Sequence, residues 1–521
     1  MTNLSSEQHL NKIKQLLLQN KSDQAISCCL DILKNQPDNV ALSILLSQAY
    51  QQNTEFDEML SCILNSDKIN VDNLLIKLRL VECFLYAGET AKAILLLDEL
   101  EQKKIQNDQF YAKLAELYLH CAQHEKVVKC YQQANQLCPD KSTYQYNLAS
   151  SLMSVGDFYQ AESLLETVIN NKPDDFDAYY SRSVLSKKNS INNHIDELEL
   201  LISKYQNPQA EITLGYALAK ELEDIGEYDK SFKYLQAAAT QRRKKMQYQV
   251  QNDVNALNKI REVFNRKTLE ESKVSGSEST PFFILGLPRS GTTLLERILS
   301  NHSEVGSLGE INNFAFSLMH TVGPNSGKLN LIEKSATVDF DLLARRYTHA
   351  TRGYGISDKY LIDKTPLNFL YLGLIKQAFP RAKIIHLKRH PLDSCYAMYK
   401  TLFRMGYPFS YDYDDLAEYF CAYHDLMKHW RELYPDGFLD VEYHELVNSP
   451  QKEIRRLVQY CELDWQGEMM DFHQNSAPTA TASLSQVRQP IYKTSVNRWK
   501  RYELQLRPLQ DKLTSRGINC E

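Results

Sequence analysis

The sequence predicts a chain in two parts, a solenoid of stacked α-helical hairpins followed by a three-layer α/β domain around a central parallel sheet. Three observations carry that expectation. At 521 residues the chain exceeds what one hydrophobic core supports. Residues 6–175 repeat with a period of 34, the length of a helical hairpin unit. From Phe282 onward, short apolar runs alternate with stretches of helical spacing, as in a parallel sheet with crossover helices. The expected boundaries are 1–240 for the solenoid, 241–279 for a helical linker and 280–521 for the α/β domain.

The repeats begin near Ser6, Val40, Leu74, Asp108 and Ser142. The fifth is the clearest: Ala149 is the small residue where two helices meet, Gly156 marks the turn, Phe158 and Ala161 open the second helix, and Pro173 ends it. The fourth aligns without a gap through Ala115, Tyr118, Ala122, Tyr131, Ala134 and Pro139. The period and these positions resemble tetratricopeptide repeats. After Pro173 the register degrades, then recovers at Ala219, Gly226, Tyr228, Ser231 and Ala238, displaced by two residues. The expectation is therefore five repeats, an irregular helical pair and a sixth unit. Each hairpin buries its apolar face only against its neighbours, and the stack forms a superhelix with a concave groove. That groove suits a polypeptide; alternatively, the stack stabilises the chain or pairs two copies into a homodimer.

Gln241 to Phe264 is charged and helical in character and starts with Arg242, Arg243, Lys244 and Lys245, which fit a solvated face or a docking contact. Ser272 to Thr280 is polar and turn-rich. Strands are expected at Phe282–Leu285, Tyr360–Asp363, Lys383–Lys388 and Gly437–Val441, with helices near Thr293, Asn368 and Leu392. Ligands of such sheets bind at the C-terminal ends of the strands.

The first strand runs into Gly286-Leu-Pro-Arg-Ser-Gly291-Thr-Thr and then a helix. Strand, glycine-rich loop and helix aim backbone N–H groups and a helix N-terminus at an anion. The loop is close to the Walker A pattern, but Thr292 stands where that pattern has its lysine, and the cation sits inside the loop as Arg289. The loop reads as a phosphate or phosphosulfate cradle not built for ATP hydrolysis. With His302 and Gly309-Glu310 downstream, it resembles the 5′-phosphosulfate loop of sulfotransferases that use 3′-phosphoadenosine 5′-phosphosulfate. The likeness is to the tyrosylprotein branch and to bacterial members with N-terminal tetratricopeptide repeats, and the fold it implies is a P-loop-like α/β domain.

The resemblance implies a set of site residues. Arg289, Ser290, Gly291, Thr292 and Thr293 would hold the 5′-phosphosulfate. Glu310 would be the base that takes the acceptor's proton; His302 is a rival. Lys364, in Asp363-Lys-Thr-Pro366, would contact the leaving group. Arg389 would bind the 3′-phosphate. The family pattern has a serine eight residues after that arginine, where this chain has Ala397; Ser394, one helical turn earlier, is the available substitute. Ser483, in the pattern S-x-x-Q-V, and Arg498 would complete the site from a C-terminal segment that closes over the nucleotide, with Ser495 and Trp499 as parts of it and Arg488 and Tyr492 as candidates by location. No metal is required.

Composition narrows the rest. A net charge of −5 leaves no basic footprint for nucleic acid. No run is long and apolar enough to span a membrane, and the N-terminus lacks the features of a signal peptide. Eleven scattered cysteines, an odd number, fit reduced thiols in the cytoplasm. The expected activity is sulfuryl transfer to a hydroxyl, with tyrosine in a peptide held by the repeats as the first acceptor to consider; carbohydrate, lipid and small phenols stay open. A nucleotide kinase-like P-loop enzyme is opposed by Thr292. A non-enzymatic repeat scaffold with an inactive transferase domain is favoured only by Ala397.

Overall fold

The computed structural model describes residues 6–324, 327–404, 406–475, 477–478 and 487–521. The first helices of the hairpins begin at Ser6, Val40, Leu74, Asp108, Ser142 and Phe176, a spacing of 34 that extends one unit beyond the sequence expectation. Asn39, Asn73 and Asn107 share that spacing, and each accepts a hydrogen bond from the first turn of the helix that follows. Ala25, Ala93, Ala115, Ala149 and Ala161 are wholly buried where helices touch. The irregular pair is a hairpin with shortened helices, Phe176–Leu185 and Ile195–Lys204. The next begins at Pro208, two residues early, and consists of Pro208–Ile225 and Tyr228–Lys244.

Five parallel strands form the sheet of the α/β domain: β1 (Phe282–Gly286), β2 (Val305–Ser307), β3 (Tyr360–Asp363), β4 (Lys383–Lys388) and β5 (Leu439–Glu442), in the order β2-β3-β1-β4-β5. The last begins two residues later than expected. β2 escapes a sequence reading because it is only Val-Gly-Ser. Both faces of the sheet are covered. Phe283 and Leu285 pack with Phe314, Phe379 and Trp430. Phe282 and Ile284 pack with Leu295, Ile298 and Leu457 on the other side. The chain after β1 crosses to β2 and β3 on one side and later to β4 on the other, so the end of β1 is the topological switch point.

The repeats lie along the α/β domain. Asp57 meets His320 (3.1 Å), Glu89 meets His349 (3.2 Å), and Tyr86 packs on Phe316 with ring centroids 4.9 Å apart. The guanidinium of Arg404 lies 4.9 Å over the Tyr146 ring, and Tyr180 accepts from the Leu402 N–H (3.3 Å). Two residues of the basic run also dock: Arg243 on Asp415 and Arg242 against Tyr411. The helix Val250–Val263 joins the α/β layer, with Phe264 against Trp430. Among the described residues no helix is long and apolar enough to cross a membrane.

The deepest contact is at Glu223, in helix Pro208–Ile225. Its buried carboxylate accepts from the Tyr396 hydroxyl (2.9 Å) and the Tyr502 hydroxyl (3.3 Å), and pairs with Lys400 (2.5 Å) and Arg498 (3.7 Å). Burial alone would raise its pKa, but the Lys400 and Arg498 charges bring it down to about 2. Removing one member of a buried ion group leaves the others uncompensated. Glu223→Ala is therefore expected to cost about 3–5 kcal/mol of stability, read from the denaturant midpoint of the full chain, with Glu223→Gln milder.

Candidate active site

The loop after β1 turns back sharply at two glycines. Gly286 has φ +152°, and a Cβ there would lie 2.7 Å from the Leu387 carbonyl of β4. Gly291 has φ +111°, and a Cβ there would strike the Tyr443 ring at 2.6 Å. Arg289, between them, is itself left-handed, with φ 64°. Helix Thr292–Leu299 follows, so the loop ends on a helix N-terminus with the Thr292 and Thr293 side chains in its first turn. The Ser290 hydroxyl is buried without a partner among the described residues, as suits a ligand donor.

The pairing of β2 with β3 continues beyond the strands. Leu308 N–H donates to the Ile362 carbonyl and Lys364 N–H to the Gly309 carbonyl, both at 2.9 Å. This register sets Glu310 beside Lys364, whose ammonium meets Glu310 at 2.6 Å and Glu296, from helix Thr292–Leu299, at 3.5 Å. The Lys364 side chain has no exposure, Glu296 has 10% and Glu310 has 41%. Glu296 is further held by the Ser307 hydroxyl (2.6 Å). Burial lowers the Lys364 pKa, but the two carboxylates outweigh it, so the group stands above the ordinary lysine value and stays charged. Glu310 is thus the accessible carboxylate and Glu296 the fixed counterion.

Arg389, beyond β4, donates to the Arg289 carbonyl (3.0 Å) and the Ser495 carbonyl (2.7 Å), and its guanidinium lies 4.8 Å over the Tyr443 ring. It therefore ties the loop to the C-terminal segment. Asp393, in the first turn of helix Pro391–Tyr399, accepts from the backbone N–H groups of Asn497 (2.8 Å) and Trp499 (3.0 Å). Ser495 meets the Tyr443 hydroxyl at 2.8 Å, and Trp499 stacks on His390 with centroids 5.2 Å apart. Ser394 is buried, and its hydroxyl donates to the Arg389 carbonyl (3.3 Å). Arg498 faces Glu223. Val487 and Tyr492 border a small cleft above Gly291, and Arg488 packs on Gly156 of the fifth repeat. Ser483 lies outside the described residues.

Residues 281–467 match the family model described as the sulfotransferase family. The match spans all five strands of the sheet and the loop after β1. The chain is similar to an uncharacterised protein of Aquifex aeolicus, 32% identical over 378 residues, covering 70% of this chain and 49% of that protein. The chain thus spans about half the length of that relative. Protein-tyrosine sulfotransferase 1 of Danio rerio is 27% identical over 244 residues, covering 42% of this chain and 68% of its own. The sulfotransferase domain from the olefin synthase of Synechococcus PCC 7002 is 22% identical, covers 44% of this chain and 90% of that domain, and has a TM-score of 0.33.

Several residues of the sulfotransferase site escape a sequence reading. His302 is buried, with the Glu304 N–H donating to Nδ1 (3.1 Å) and Nε2 left to donate to the Asp464 carbonyl (3.0 Å), so neither nitrogen is free to act as a base. Glu296 gives one hint, as a carboxylate one turn into the helix that follows the loop. Asp393 and Glu223 give none.

Asp363, next to Lys364, is wholly buried. Burial pushes its carboxyl up to about 7, against hydrogen bonds from Thr365 (2.8 Å), Tyr347 (3.1 Å) and Asn368 (3.0 Å). Its folded-state pKa is above the unfolded value of about 4, so its contribution to stability is present below pH ~4 and is lost as the pH rises toward 7. The stability of wild type relative to Asp363→Asn, which cannot ionise, is expected to fall between pH ~4 and ~7, measured by denaturant unfolding at each pH.

Proposed function

We propose that this chain transfers a sulfuryl group from 3′-phosphoadenosine 5′-phosphosulfate to the hydroxyl of a tyrosine in a polypeptide. The observation that carries the reading is the exposed Glu310 carboxylate held against the buried Lys364 ammonium at the strand ends beside the loop. Glu310 takes the acceptor's proton as its oxygen bonds to sulfur, and the bond from sulfur to the 5′-phosphate oxygen breaks. Lys364 and Arg289 meet the charge that develops on the departing phosphate, where fixed charges act most strongly. Ser290, Gly291, Thr292 and Thr293 hold the phosphosulfate. Arg389 and Arg498 receive the 3′-phosphate, with Ser394 behind them, and Ser483 contacts the transferring group. Positioning and electrostatics suffice, as in phosphoryl transfer, without a covalent intermediate or a metal.

A cavity of about 170 Å³ supports a ring-sized acceptor. Its walls include Leu318, Leu367, Leu370, Tyr371, Tyr407 and Phe409. Leu318, Leu367, Leu370 and Tyr371 lie on the segments that follow Glu310 and Lys364. An apolar cavity of about 150 Å³ admits benzene. Burial and the Glu310 charge raise the Tyr407 phenol pKa, which fits a cavity close to the base. The names of protein-tyrosine sulfotransferase relatives support the same acceptor. Repeat residues Tyr146 and Tyr180 border segment 402–411 beside this cavity, which supports a polypeptide held by the repeats. The eleven cysteines are all free, which fits the reducing cytoplasm.

Calorimetry of the full chain is expected to detect binding of 3′-phosphoadenosine 5′-phosphate and none of ATP; no binding of the bisphosphate overturns the reading. With a tyrosine peptide as acceptor, Glu310→Gln is expected to lower kcat by roughly 10²–10⁴-fold while the bisphosphate still binds. Leu370→Trp, which fills the cavity, is expected to raise the KM for the peptide and leave the nucleotide affinity unchanged; an unchanged peptide KM places the acceptor elsewhere.

A further inference from the structure

We infer that Lys400 binds the 3′-phosphate in place of the serine that Ala397 replaces, and that Glu223 of the repeat half is the positioning residue that holds Lys400 there. The inference rests on the nucleotide reading above. Lys400 directly follows helix Pro391–Tyr399, which Arg389 and His390 introduce, and lies one turn beyond Ala397. Its side chain is 20% exposed and its ammonium is anchored on Glu223. Ser394 does not offer the same donor, because its hydroxyl is turned onto the Arg389 carbonyl.

The charges around it do not balance within the protein. Lys400 and Arg498 share the single Glu223 carboxylate, which the Tyr396 and Tyr502 hydroxyls already satisfy in part. Arg389 makes no ion pair among the described residues; it donates to two backbone carbonyls and lies over a ring. Arg289 adds a further positive charge near Lys400. Like charges gathered in a partly buried space repel unless an anion joins them. The Nε atoms of Arg389 and Arg498 are buried without partners among the described residues. A phosphate monoester dianion, with several acceptor oxygens, matches both the charge and the donors.

The test is calorimetry of the full chain with 3′-phosphoadenosine 5′-phosphate and with adenosine 5′-phosphate, which lacks the 3′-phosphate. Lys400→Ala is expected to weaken the bisphosphate by roughly ten- to a hundredfold and to leave adenosine 5′-phosphate unchanged, while Lys400→Arg keeps most of the affinity. The double variant Lys400→Met with Glu223→Gln removes both charges, so neither is stranded if the single variant fails to fold, and it is expected to show the same selective loss. Equal weakening of both nucleotides, or an unchanged ratio, overturns the inference and leaves Lys400 as a counterion of Glu223. If the wild type itself does not distinguish the two nucleotides, the 3′-phosphate reading falls and this inference with it.

Discussion

A lysine ammonium without solvent exposure has to be surrounded by negative charge, and Lys364 imposes that constraint on the sulfotransferase domain. Desolvating an ammonium costs several kcal/mol even after relaxation, so the fold supplies two carboxylates from different directions. One arrives through the register of β2 on β3, the other through the helix that follows the anion loop. Three elements are thereby held in one relation. Glu296, fastened by Ser307, is too enclosed to do chemistry. Glu310 is left accessible and is held in place by the same ammonium.

A second layer of order comes from the C-terminal segment, which is tied to the site through its backbone. Arg389 donates to carbonyls on both the loop and that segment, and Asp393 accepts from two of the segment's N–H groups. Backbone partners fix where a segment lies without dictating its side chains, so Arg498 can pair with Glu223 and Trp499 can stack on His390. A segment placed in this way covers the loop from solvent, which strengthens every charge interaction beneath it.

What could be read from the sequence follows from how local each signal is. The loop was legible because two close backbone approaches force Gly286 and Gly291, and because the polar donors are contiguous. Strands β1, β3 and β4 were legible as apolar runs bounded by turns; β2 was not, since three residues carry no pattern. The repeats were legible from their period. The shortened pair at Phe176 was harder, because the loop between its helices hides a start that is in register. Glu310, Lys364 and Arg389 were found through a family pattern, and their adjacency depends on strand order that no window of sequence contains. Glu223, Glu296 and Asp393 act across the fold on partners far away in the chain, so no spacing rule reveals them.

The displacement of the seventh hairpin by two residues also has a physical reason. Its first helix, Pro208–Ile225, is 18 residues long, against 13 for Asp108–His120 of the fourth repeat. The extra length carries Glu223 to Lys400 and Arg498, and Tyr216, earlier in the same helix, donates to the Tyr399 carbonyl (3.1 Å). Ile212, Tyr216, Phe232 and Leu235 lie in the same apolar core as Phe283 and Trp430 of the sulfotransferase domain. A solenoid that served only as a scaffold would meet its neighbour at a polar, solvated rim, as the Asp57–His320 and Glu89–His349 contacts do. At this hairpin the boundary is instead continuous core with a buried charge cluster, so strict repeat geometry gives way to the packing demands of the domain it joins. The last repeat is then a structural layer of the sulfotransferase domain, joined to it through Glu223.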